Sequence, residues 1–261
     1  IICDRFGGIV PPTRVMSKPG AKLWRLHFAM LRHGANLKVA AHLYMMPETI
    51  VPYMIAIGAQ TYANAEALRL LRRDCMSEHL LLDGRVLVTW SKGRSSREQR
   101  RSFLKDKSFS VPTLIEQVLA MTAALIPHAR PEDRDRLFLI DNMNSSRIVG
   151  VIPNYLVSAH VRRFVKRHDL RDDLGRPLQL SIAALRASGL TLAHERLGHD
   201  ILKTQALANH ATPDTTQRYV DRPLVRQAQA IAVGALQARF VEIVRGEPDA
   251  EIPEQPDVDI R

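Results

Sequence analysis

Apolar residues recur at three- and four-residue steps through most of this chain, the spacing that lines one face of a helix. The pattern predicts helices over residues 21–32 and 47–61. A further one over 64–73 carries Ala67, Leu68 and Leu71 on one side. The texture changes at residues 80–90, where Val86, Val88, Thr89 and Trp90 follow an Asp83-Gly84 turn, and a strand is expected. Residues 91–101 then read as a basic loop. A second strand is expected within 102–111, and helix returns over 113–125 with Pro112 near its start. The expected architecture is mainly α with one small antiparallel β-sheet, an α+β body.

The second half continues in helices. Residues 131–136 form a charged loop, and 155–168 form a basic helix carrying Arg162, Arg163, Lys166 and Arg167. A turn at 172–177 precedes helices over 183–188 and 192–209, with a break expected near Gly189. Residues 210–214 connect to a short helix over 215–220. Asp221 and Pro223 open a long final helix that Gly246 stops. Its apolar positions Val225, Ala228, Ala232, Leu236, Phe240 and Ile243 share one stripe, which must be buried either in its own core or on a neighbouring subunit. Residues 247–261 are acidic and contain prolines, the composition of a disordered tail. A domain boundary is expected near Pro47, giving an N-terminal helical segment (1–46), a main domain (47–246) and the tail.

Charge narrows the choice of partner. The chain of 261 residues carries a formal net charge of +10. A surface of that sign attracts polyanions and favours nucleic acid. No apolar run approaches the ~20 residues of a membrane span, and no signal peptide opens the chain, so the cytoplasm is the expected compartment. The first residue is Ile1, which suggests a piece of a longer protein. Two cysteines, Cys3 and Cys75, stand far apart and outside any metal-ligand spacing. They are expected to be reduced thiols, with no zinc.

The informative stretch runs from Leu207 to Tyr219: Leu207, two residues, His210, then Tyr219 nine positions on, with Thr215 and Thr216 between. Upstream stands Ala184-Leu185-Arg186, and Lys92 follows the first expected strand. Glu66, Leu70 and Asp74 form an acidic-Leu-Asp register earlier still. In this order the residues resemble the motifs of the tyrosine recombinases of the phage-integrase type. Leu197-Gly198-His199 looks like the same histidine motif, but Ala208, not a tyrosine, lies nine residues beyond His199. Spacing therefore selects His210, and leaves His199 as a polar residue at a helix end.

The resemblance implies an integrase-type catalytic domain, the fold shared with type IB topoisomerases, acting in site-specific DNA recombination by integration or excision. It implies Tyr219 as nucleophile, Arg186 and His210 on the phosphate, Lys92 as proton donor to the leaving oxygen, and no cofactor or metal. These residue types suit the chemistry. A tyrosine can form a phosphodiester link and leave again as phenolate, and an arginine fork matches the non-bridging oxygens. Arg94, Arg97, Arg100, Arg101, Arg162 and Arg163 are candidates for backbone phosphate contacts. The expected partner is double-stranded DNA, bound by a homo-oligomer or by a hetero-assembly with other recombinases. The N-terminal clamping domain of the family is not evident.

Two positions depart from the pattern. Ala63 stands where the family has its first catalytic arginine, and Ala183 where it has the histidine of the Arg box. Losing one charge-stabilising donor typically costs ~10²–10³ in rate. The alternative reading is therefore a catalytically impaired, DNA-binding relative that partners an active recombinase. An unrelated helical regulator is the third possibility.

Overall fold

The computed structural model describes residues 2–18, 23–92, 97–142, 149–208 and 213–220. The chain divides into two units, residues 1–189 and 190–261.

The first unit is assembled around α5 (Pro47–Thr61), whose bounds are those expected from the periodicity. Pro47 occupies the first helical turn, where its missing N–H costs nothing. The Met46 N–H donates to Thr49 Oγ1 at 2.9 Å, satisfying a donor ahead of the helix. Ile50, Val51, Met54 and Ile57 are buried. Against this helix pack α7 (Val111–Thr122), capped by the Ser110 hydroxyl, and α8 (Asn154–Arg167). A 3-10 stretch, Ala123–His128, follows α7. Before α5 come α1 (Ile2–Phe6), α2 (Thr13–Met16), α3 (Trp24–Arg32) and α4 (Ala35–Leu43). Their buried residues Met16, Met30 and Ala40 share a core with Tyr44, Leu125 and Leu139.

The helix expected over 64–73 is shorter. α6 (Ala65–Arg69) is capped by Asn64, whose side chain accepts from the Ala67 N–H at 2.7 Å. Beyond Leu70 the backbone turns to another partner. Leu137 N–H donates to Leu71 O, Arg73 N–H donates to Asp135 O, and Arg72 bridges Arg136. Those non-local bonds outweigh the helical propensity of the segment.

The three-stranded sheet has the order β1 (Met76–Glu78), β2 (Arg85–Lys92), β3 (Arg97–Leu104), antiparallel throughout. Two expectations need correction here. The first strand starts at Arg85, because Leu80, Leu81 and Leu82 lie exposed in the turn before it. The second begins at Arg97, so residues 97–101 are strand and not basic loop. Its inward positions are Gln99, Arg101 and Phe103, opposite Trp90, Val88 and Val86. Gln99 is buried and its side chain accepts the Trp90 indole N–H at 2.9 Å. A strand whose inner face holds Gln and Arg gives little alternating hydrophobicity to read.

A second sheet was not expected. It is a two-stranded antiparallel pair, β4 (Leu139–Asp141) with β5 (Val149–Val151). Three residues are too few to show a period of two, and β4 is buried at every position.

A further correction concerns Gly189. α9 (Ile182–Arg196) runs through it without a break. A Cβ there would lie 2.5 Å from Cε1 of Tyr62, so the glycine serves close packing of an aromatic ring. The helix ends at residues 197–200, where Gly198 and His199 both take positive φ (64° and 62°). In the second unit α10 (Ile201–Ala208) starts under Asp200, whose Oδ1 accepts the Leu202 and Lys203 N–H groups. α11 (Pro213–Val220) follows. The expected final helix and acidic tail lie outside the described residues.

Among the described residues no helix is long and apolar enough to cross a membrane, and no group of three or more His, Cys, Asp or Glu could hold a metal ion. Both cysteines are free thiols, Cys3 exposed and Cys75 buried. Burial pushes the Cys75 thiol up to about 12. A thiol reagent at neutral pH is therefore expected to label Cys3 and leave Cys75 untouched until denaturant is added, as counted by mass spectrometry.

Candidate active site

The second turn of α9 carries Arg186. Ser181 caps this helix, its hydroxyl accepting the Ala184 N–H at 3.0 Å. Arg186 is 7% exposed, and its guanidinium donates to the carbonyl oxygen of Tyr62. Tyr62 ends α5 in the left-handed region (φ 54°, ψ 24°), a conformation costly for a residue with a bulky side chain. The same tyrosine meets a second arginine. Arg101, from β3, stacks its guanidinium 4.8 Å from the centre of the Tyr62 ring and donates to Gln60 O at 2.9 Å. Burial holds the Arg101 pKa below the ordinary guanidinium value.

The two departures from the family pattern lie in the same unit. Ala63, directly after Tyr62, is 3% exposed, and its N–H donates to Thr61 Oγ1 at 3.2 Å. Ala183 lines a cavity of about 450 Å³ together with Glu66, Arg69, Asn154, Arg162 and Ser181. There Glu66 accepts two hydrogen bonds from Arg69 (2.6 and 3.0 Å) and one from Asn154 (3.3 Å). The Arg69 bonds are the main reason its pKa is lowered. Glu66, Leu70 and Asp74, the acidic register, together line a second cavity of about 440 Å³ beside Trp90, Ser91 and Glu98. Arg72 pairs with Asp74 at 2.8 Å and with Asp135 at 2.5 Å.

Lys92 is the last residue of β2, paired in register with Arg97. Its side chain, that of Arg97, and Arg94 at the tip lie outside the described residues. Arg100 is exposed on β3. Arg101 does not sit on a loop as expected but faces inward against Tyr62. Arg162 and Arg163 are both exposed, and Arg163 donates to His160 Nε2 at 3.2 Å. Tyr219 occupies the last turn of α11, with its side chain outside the described residues, as is all of His210. Thr216, of the Thr-Thr pair, is fully buried.

His199 is more than a polar helix end. Its ring meets that of His194 edge-on, with centroids 5.2 Å apart. His194 is 1% exposed, and its Nδ1 lies 2.9 Å from the Thr204 hydroxyl. Because that hydroxyl donates to Asp200 O, His194 Nδ1 carries the proton. Burial, then the neighbouring His199, lowers the His194 pKa; burial, then Arg163, lowers that of His160. The folded protein thus favours neutral imidazole at both, and the unfolded chain binds more protons. Their contribution is complete above the ordinary value of 6.5 and is lost as pH falls below it. Glu66 and Asp74 lose theirs only below 4.5 and 3.8. Urea midpoints are expected to fall between about pH 6.5 and pH 5, with a smaller fall in His194→Gln.

No family model matches the sequence, and no curated protein matches it either. The fold is similar to that of solved tyrosine recombinases. The XerH site-specific recombinase, bound to palindromic difH substrate in a post-cleavage complex, superposes with a TM-score of 0.50 at 16% identity, over 76% of this chain and 50% of that one. A pre-cleavage complex of XerH with difH gives 0.48 at 18% identity, over 75% and 49%. The chain thus spans about half the length of these recombinases. The mainly α, α+β class expected from the sequence is the one observed.

Proposed function

We propose that this chain performs site-specific DNA recombination, integration or excision, through a 3′-phosphotyrosyl intermediate. The Tyr219 oxygen attacks a backbone phosphorus and gives up its proton to water at the site. The bond to the 5′ oxygen breaks, and that oxygen takes a proton from Lys92 and leaves as a hydroxyl. Attack by a 5′ hydroxyl from a second strand reverses the step and releases the tyrosine. Arg186 neutralises charge on the non-bridging oxygens, and His210 hydrogen-bonds to the same phosphate. Arg94, Arg97, Arg100, Arg162 and Arg163 hold the flanking backbone. Exchange needs two DNA sites and several protomers, as a homo-oligomer or with other recombinases.

What carries the reading is Arg186: the arginine singled out by its motif is buried in the second turn of a helix, on the residue next to Ala63, within a recombinase fold. The test incubates the chain with a pool of nicked duplexes of randomised sequence, in which a cleaved strand diffuses away and traps the covalent product. A protein–DNA adduct stable to detergent, mapped by mass spectrometry to Tyr219, is expected. Absence of any adduct, or attachment to another residue, overturns the proposal.

Ala63 and Ala183 favour a second reading, a DNA-binding partner of an active recombinase. It predicts salt-sensitive binding of the same pool with no adduct from this chain alone.

A further inference from the structure

The geometry points to Arg101 as a second arginine on the cleaved phosphate, supplying from β3 the guanidinium that position 63 lacks. This inference rests on the recombinase reading.

Tyr62 is where two cations meet. Arg186 holds its carbonyl, the oxygen of the very peptide that leads into Ala63, and Arg101 lies over its ring. The placement is over-determined. The ring touches α9 at Gly189, where any side chain would collide with it, and the Tyr62 backbone is fixed in the left-handed region. Arg101 is fixed in turn by the β2–β3 register, by Gln60 O and by Phe103, whose ring centre is 5.8 Å away.

The chemistry of Arg101 also suits an anionic ligand. A guanidinium has five N–H donors. Here the Gln60 carbonyl and the Tyr62 hydroxyl accept from it and aromatic faces cover part of the rest, while no carboxylate pairs with it among the described residues. Desolvating a cation without a counter-charge is costly. Arg85 on the same sheet differs, spending its donors on the Ser102 hydroxyl and carbonyl of the neighbouring strand. A phosphate arriving at Tyr62 would meet two planar forks, the arrangement that matches two non-bridging oxygens.

The nicked random-duplex pool tests this with saturating full-length chain, reading the single-turnover rate of adduct formation. Arg101→Gln keeps the stem and one N–H for Gln60 O but removes the charge, and is expected to lower the rate by about 10²–10³-fold. Arg101→Lys restores charge and is expected to regain roughly tenfold of that loss. Arg85→Gln, which removes a structural guanidinium from the same ladder, is expected to stay within about threefold of wild type. Circular dichroism checks the fold. If Arg101→Gln does not fold, Arg101→Lys decides: a rate equal to wild type overturns the inference, since an ammonium cannot reproduce a bidentate fork. Adduct formation by folded Arg101→Gln within threefold of wild type also overturns it and leaves the recombinase reading standing. No adduct from wild type overturns both.

Discussion

Tyr219→Phe is expected to lose covalent capture of DNA altogether while binding the duplex pool as wild type does. The substitution removes one oxygen, the atom that would join phosphorus, and leaves the rest of the ring. Without a nucleophile there is no ester to trap, so the effect is all or none. Salt-dependent binding draws on the basic surface and should keep its slope. Gel shift and detergent-resistant adduct, measured on the same samples, separate the two. An adduct that persists in Tyr219→Phe would place the chemistry on another residue.

Arg186→Ala should give the next largest effect, a fall of about 10²–10³-fold in single-turnover adduct formation. It removes a fork matched to the phosphate, and it also leaves the Tyr62 carbonyl without that donor, at a cost of ~1–3 kcal/mol if no water reaches it. Both consequences are measurable, the first as a rate at saturating protein and the second as a shifted urea midpoint. Arg186→Lys keeps charge and loses the fork. It is expected to fall between wild type and alanine in rate, because an ammonium can neutralise the phosphate but cannot grip two oxygens at once. A rate in Arg186→Ala close to wild type would remove this residue from the site.

Legibility of the fold followed the length of each element. α5 was readable to the residue because fifteen positions repeat the helical period and Pro47 marks the start. β4 and β5, three residues each, carry no such signal. The periodicity overstates α6 because Leu71 continues a helical pattern that the backbone abandons to bond with Leu137. Gly189 reads as a breaker, since a glycine looks the same in sequence whether it ends a helix or makes room for a ring. The candidate site shows the same division. Arg186, Tyr219 and the acidic register could be picked out by spacing along the chain. Tyr62 could not, because its role is set by contacts with residues 39 and 124 positions away, Arg101 and Arg186. Arg101 had a faint signal. It lies two positions from Gln99 and two from Phe103, on the side that faces Trp90 and Val86, but this becomes visible only once β3 is known to start at Arg97.

The eight-rung ladder between β2 and β3 also limits how the gene can drift. Side chains alternate sides along a strand, so one codon gained or lost inside either strand would turn every later residue to the opposite face and trade Arg101 for its exposed neighbour Arg100. Between Lys92 and Arg97 a length change carries no such inversion. Insertions and deletions should therefore survive at the hairpin's tip and be purged from its arms.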